Sequence, residues 1–181
     1  MPLDYEDIDA DLPWERRVEA RAEAFVALQP GIAYGYGAGR GWRVYRAGAM
    51  GQWVRAVMLG AEAAVEALTG RAPGFSACFA NRYEGQRQAL GWHRDDHRAV
   101  LADGTPGEPA AHSAPIAVVS YGAERDFWWR AWPGGGAHDA IRLADKSLLV
   151  MPAGFQEVAE HRIPKAPGPC GPRISLTFRA F

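Results

Sequence analysis

From Phe75 to the C-terminus the chain is a train of short β-type runs, at 75–83, 115–121, 126–131, 140–143, 147–151 and 173–181. Each is bounded by clusters of Gly, Pro or Asp, the residues that turn a chain sharply. Many short strands in succession bury their apolar faces by folding into an antiparallel sandwich or jelly roll. Two helices are expected ahead of them. The first is predicted over about 13–29, with Asp11 as cap, a stripe of Trp14, Val18, Ala22 and Phe25, and Pro30-Gly31 as the stop. The second is predicted over about 52–69, with Val54, Val57, Met58, Ala61, Val65 and Leu68 on one side and Gly70 as C-terminal cap. Between them, 32–48 is rich in Gly, Tyr and Arg and reads as hairpins or a flap. The expected class is α+β, mainly β, with the N-terminal helices packed on one sheet. A single domain spans 1–181, with helices and flap in 1–72 and the β core in 73–181. The polar stretch 101–113 reads as a surface loop.

Composition narrows the function classes. The chain of 181 residues is 48% apolar with charges of both signs, as in ordinary soluble globular proteins. No run of about 20 apolar residues offers a membrane span. A net charge of −1 argues against coating nucleic acid by bulk electrostatics and leaves room for a local basic groove. Cys78 and Cys170 lie far apart in no Cys-x-x-Cys pair, which suits reduced thiols. The acidic start of the sequence is unlike a signal peptide. A cytoplasmic monomer with no obligate protein partner is expected.

The densest cluster of metal-ligand types is Gly91-Trp92-His93-Arg94-Asp95-Asp96-His97. On a strand alternate residues share a face, so His93 and Asp95 point together and Arg94 points away. A third ligand from another strand would complete the two-histidine, one-carboxylate set that suits Fe(II), with zinc as the rival metal. His161, among strand residues ahead of Pro164, is the candidate. His97 is expected in a supporting or solvated role, and His112 and His138 in solvated loops. At the C-terminus, Ile174, Leu176 and Phe178 alternate onto one face and Arg173, Ser175, Thr177 and Arg179 onto the other. If the second face lines a barrel interior, its two arginines require neutralising anions, and a short dicarboxylate suits their planar forks. The competing reading is an exposed edge strand.

Six patches occur together and in order: Asn81-Arg82-Tyr83, Trp92 to Asp96, Pro115 to Gly122, Arg125-Asp126-Phe127, His161 to Lys165 and Pro172 to Arg179. In this the chain resembles the AlkB-type dioxygenases, from about Phe75 onward. The resemblance implies a double-stranded β-helix (jelly roll) and an Fe(II)- and 2-oxoglutarate-dependent dioxygenase that consumes O2. It implies iron on His93, Asp95 and His161, the catalytic centre. It implies 2-oxoglutarate on Asn81, Tyr83 and Arg173, with Arg179 near its metal-chelating end and Ser175 where the family carries Asn. It implies Asp96 facing the substrate base. Further departures are His97 after the acidic pair and Val158-Ala159-Glu160 ahead of His161, where relatives often carry a tryptophan.

The family activity is oxidative demethylation of N-alkylated bases in DNA or RNA, releasing formaldehyde, succinate and CO2. A base must leave its stack to reach a buried metal, and aromatics can hold it there. Trp42, Tyr45 and Trp92 are the candidates, with Arg40, Arg43 and Arg46 beside Trp42 for phosphates. Equally, Trp42 and Tyr45 read as hairpin core. Two alternatives stand: an oxygenase of the same chemistry acting on a small metabolite, modified tRNA or protein, and a catalytically silent binding module of the same fold.

Overall fold

The last strand is the axis of the molecule: all seven of its residues are buried and it lies within the larger of two facing sheets. The computed structural model describes residues 3–18, 20–37, 41–95, 98–109 and 113–181. In chain order the elements begin with α1 (Tyr5–Ala10), β1 (Glu15–Val18), β2 (Arg21–Ala27), β3 (Ala33–Tyr36), β4 (Arg43–Arg46), β5 (Gly48–Ala49) and α2 (Gln52–Thr69). Then come β6 (Ala77–Tyr83), β7 (Leu90–His93), β8 (Arg98–Val100), β9 (Pro106–Pro109), β10 (Ile116–Gly122) and β11 (Arg125–Ala131). The chain ends with β12 (Asp139–Leu143), β13 (Leu148–Met151), α3 (Phe155–Val158), β14 (Ala159–Ile163) and β15 (Arg173–Arg179). The six runs expected as strands are β6, β10, β11, β12, β13 and β15.

The larger sheet has the order β1-β2-β6-β15-β10-β13, with β5 added parallel to β2. The smaller, β12-β11-β14-β7, faces it. Between them Phe127, Leu143 and Ile163 of the small sheet pack with Tyr83, Ile116, Val118 and Met151 of the large one. This is the jelly roll. The outer face of the large sheet is covered by α1 and α2, where Val54, Met58, Ala61 and Val65 meet Ile174, Leu176 and Phe178. Each of these side chains larger than alanine contributes roughly 1.5–3 kcal/mol by leaving water. A third sheet, β4-β3-β8-β9, forms the flap and packs Tyr34 and Tyr45 against Phe25 and Phe79.

Helix α2 and its left-handed cap Gly70 (φ 76°) match the expectation. The helix expected over 13–29 is instead the β1–β2 hairpin. The run Arg-Ala-Glu-Ala-Phe-Val-Ala favours helix locally. It sits between β1 and β6, buried on both faces, so the alternation that marks a half-exposed strand is absent. Tertiary pairing overrides local preference here. Asp11 does cap a helix, but a distant one: its Oδ2 accepts from the backbone N–H of Trp53 (3.0 Å) and Val54 (2.9 Å) at the start of α2. Gly51 permits this, because a Cβ there would collide with the Asp11 carboxylate. Within 101–113, expected as a loop, Pro106–Pro109 forms β9 and pairs with β8. That pairing covers a strand edge that would otherwise be open.

Candidate active site

His93 ends β7 and His161 lies on β14, and the two residues are register partners across those strands. Asp95 follows His93 by two residues. Strand pairing therefore brings together two stretches 66 positions apart. The His93 and His161 rings are 4.2 Å apart, and their Nε2 atoms lie 3.4 and 3.7 Å from Asp95 Oδ1. One donor atom from each residue falls within 4.8 Å of the others. The tautomer of His93 is dictated by its partner. Nδ1 lies 2.8 Å from the Gly91 carbonyl, which can only accept, so Nδ1 donates and Nε2 keeps its lone pair for the centre of the trio. Burial, then the neighbouring His93, pushes His161 down to about 3, leaving it neutral at pH 7. Burial alone would raise the Asp95 carboxyl. Arg179, His161 and His93 outweigh it and hold Asp95 well below the usual carboxylate range. An unprotonated His161, an ionised Asp95 and a second imidazole whose Nε2 faces them are the donor set suited to Fe(II). Gln156 steadies the segment by accepting from the Asp95 N–H at 2.8 Å.

Arg173, Ser175, Thr177 and Arg179 share the inward face of β15. Arg179 Nη2 lies 2.8 Å from Asp95 Oδ2. Arg173 is wholly buried and donates from Nη2 to Ser120 Oγ at 2.9 Å, with Ser175 Oγ at 3.5 Å. Its Nε and Nη1 are buried with no hydrogen-bond partner. Burial pulls its pKa down to about 10, so it is still cationic at neutral pH. Its guanidinium also lies 5.6 Å from the Tyr83 ring centre, and Arg125 lies 5.5 Å from the same centre. A buried cation with two idle donors and no acidic partner among the described residues fits a carboxylate ligand.

A cavity of about 430 Å³ opens onto the trio, lined by Asn81, Tyr83, Ser175, Thr177 and Arg179 on the large-sheet side. Tyr34, Tyr36 and Gly37 of the flap, Arg21 and Arg94 complete much of its rim. Arg94, expected to point away from His93 and Asp95, does not, because β7 ends at His93 and strand alternation stops there. The three aromatics expected to hold a base do not line it. Tyr45 is buried and donates its hydroxyl to Glu23. Trp42 donates from Nε1 to the Gly104 carbonyl at 3.0 Å and packs over Gly35. Trp92, one residue from His93, points to the opposite face of β7, where Arg130 and Arg162 lie 4.2 and 5.5 Å from its ring centre. Arg43 lies 5.7 Å over the Tyr36 ring and Arg46 is exposed. His138 stacks on Trp128 at 4.2 Å. Asp96, His97, His112 and Arg40 lie outside the described residues. Arg21, Glu23, Tyr34 and Tyr36 were not singled out as site residues by sequence. Their only signal is the alternation of β2 and β3, hidden in stretches lacking polar–apolar contrast.

The family model for the 2OG-Fe(II) oxygenase superfamily matches residues 33–179. The chain belongs to that superfamily, whose cofactors are Fe(II), 2-oxoglutarate and O2. Within it the chain is of the AlkB type. It is 34% identical over 112 residues to the DNA oxidative demethylase ALKBH2 of Bos taurus, covering 58% of this chain and 37% of that protein. It is 34% identical over 122 residues to its Homo sapiens counterpart, covering 64% and 42%. It is 29% identical over 187 aligned positions to the alpha-ketoglutarate-dependent dioxygenase alkB homolog 3 of Bos taurus, covering 97% and 59%. The chain thus spans between 37% and 59% of the length of these relatives. A solved structure of OsALKBH1 shares the fold, with a TM-score of 0.54 at 18% identity over 89% of this chain and 78% of that one. Among the described residues no helix is long and apolar enough to cross a membrane.

Proposed function

We propose that this chain oxidatively demethylates N-alkylated bases in a nucleic-acid strand, with DNA as the first substrate to test and RNA the second. His93, Asp95 and His161 would hold Fe(II). Arg173, Tyr83 and Asn81 would hold the distal part of 2-oxoglutarate, with Arg179 and Ser175 flanking its other end. When bound, iron with 2-oxoglutarate and O2 supplies the oxidation of an unactivated C–H bond, the step no side chain performs. The protein's part is binding, orientation and exclusion of water. Arg179 keeps Asp95 ionised, the Gly91 carbonyl fixes the His93 tautomer, and burial keeps His161 unprotonated. Hydroxylation of an N-methyl group yields a hemiaminal that breaks down to formaldehyde and the repaired base.

The observation that carries the chemistry is the idle, buried Arg173 guanidinium beside Tyr83 and Ser175, both on the cavity wall that also holds the trio. The nucleic-acid substrate is supported by the ALKBH2 relatives, named as DNA oxidative demethylases. The test is formaldehyde release from oligonucleotides carrying 1-methyladenine or 3-methylcytosine, single- and double-stranded, DNA and RNA. Release dependent on Fe(II) and 2-oxoglutarate is expected. No release from any strand, with 2-oxoglutarate still consumed on a small molecule, would overturn the substrate reading and leave the chemistry standing.

A further inference from the structure

Arg21, Glu23 and Tyr36, which no motif marks, form a closed network at the cavity rim that also holds Asn81 and Tyr45. Arg21 and Glu23 lie on β2, and Glu23 is the register partner of Asn81 on β6. Arg21 Nε donates to Asn81 Oδ1 at 2.7 Å, a buried contact. Arg21 Nη2 lies 2.5 Å from Glu23 Oε1. The wholly buried Glu23 carboxylate also accepts from Tyr36 at 2.7 Å and from Tyr45, both on the flap.

The chemistry of the donor decides what Asn81 offers the cavity. A guanidinium has five donors and no acceptor, so only the amide oxygen of Asn81 can face it. The amide nitrogen is then left toward the cavity that Asn81 lines, with no acceptor among the described residues. Two N–H donors there suit a carboxylate or keto oxygen. Without that contact the amide can turn its oxygen toward the anion, which repels it instead of binding it. Arg21 is itself held from swinging by Glu23, and Glu23 by two flap phenols.

We propose that Arg21 is a positioning residue for the cosubstrate: it locks the Asn81 amide with its nitrogen toward 2-oxoglutarate, and Glu23 ties that lock to the flap. The inference rests on the reading of Asn81 as a cosubstrate contact. Arg21 acts through Asn81, so its effect vanishes when Asn81 is absent. A cation acting directly on the anion would instead add its effect to that of Asn81.

The test is anaerobic calorimetry of 2-oxoglutarate binding to the Mn(II)-loaded protein, a readout independent of turnover. Asn81→Ala and Arg21→Met are each expected to weaken binding about tenfold, the loss of one hydrogen bond to a charged group. The double variant Arg21→Met/Asn81→Ala is expected to bind no more weakly than Asn81→Ala alone. Because Arg21→Met leaves the Glu23 carboxylate without its cation, Arg21→Met/Glu23→Gln serves as a second variant and should match Arg21→Met. Unchanged affinity in both Arg21 variants, with Asn81→Ala weakened, overturns the positioning role alone. A roughly hundredfold loss in the Arg21/Asn81 double variant overturns it in favour of direct contact. Unchanged affinity in Asn81→Ala removes Asn81 from the cosubstrate site and takes this inference with it.

Discussion

The two ends of β15 place the same side chain in opposite situations. Arg179 and Arg173 lie six residues apart on one face of the strand, and both are buried. Arg179 meets an acid of its own chain, Asp95, at 2.8 Å, and despite the opposing effect of burial its pKa is raised. Arg173 meets hydroxyls and the Tyr83 ring, keeps two idle nitrogens, and burial pulls its pKa down to about 10. A buried charge must be compensated, from inside or outside. Arg179 is compensated from inside, by the acid of the His93–Asp95–His161 trio. Arg173 is not, which is why the proposed function gives it the cosubstrate.

Removing either arginine should therefore hurt in a different currency, and the largest effect is at the paired end. Arg179→Met strands the Asp95 carboxylate in the interior and should cost about 3–5 kcal/mol of stability in the metal-free protein, read by chemical denaturation. Adding Asp95→Asn should recover much of that loss. If Arg179→Met is as stable as the parent, the pair is not the internal compensation described. Arg173→Met should weaken 2-oxoglutarate binding by about a hundredfold, as expected for a bidentate charged contact. It should leave the cosubstrate-free protein no less stable, because the lost cation had no acid partner. Retained affinity together with lost stability would reverse the roles of the two ends.

The pH behaviour of the metal-free protein sharpens the same contrast at His161. Its pKa is depressed from 6.5 to about 3 by burial, so the unfolded chain takes up the proton first as pH falls. The stability it contributes is present above about 6.5 and is lost progressively as pH falls toward about 3. Thermal melts of the parent should decline over that window, and His161→Gln should flatten the decline. An equal slope in both would deny the imidazole its buried, neutral state. The smallest effect is expected at Ser175. Placing Asn there gives Arg173 a better acceptor and should alter 2-oxoglutarate affinity by less than about fivefold. A loss of tenfold or more would mean the site has no space for the amide.

What was legible in sequence follows from where contrast survives burial. The strands from Phe75 onward carry turns at both ends, and α2 carries an apolar stripe and a glycine stop, so both could be read. The trio could be read because a strand reading of 91–97 set His93 beside Asp95 and Trp92 opposite. β7 in fact ends at His93, and the chain beyond it brings Asp95 to the same place while turning Arg94 to the cavity as well. β2 could not, since both its faces are buried and its residues favour helix when taken alone. With β2 misread, Arg21 and Glu23 had no face and no partner, and the link from flap to Asn81 stayed hidden. Tyr45 carried two readings, and the buried Glu23 decides between them: its phenol is held in the core rather than offered to a base.

The most direct test is an anaerobic titration of the protein with Fe(II) and 2-oxoglutarate, followed in the visible spectrum. The metal-to-ligand charge-transfer band of the ternary complex is expected at one equivalent of iron, with its loss in His161→Ala, and in Arg173→Met its appearance only at far higher 2-oxoglutarate. A parent protein that binds iron and 2-oxoglutarate independently of one another, with no such band, would contradict this expectation.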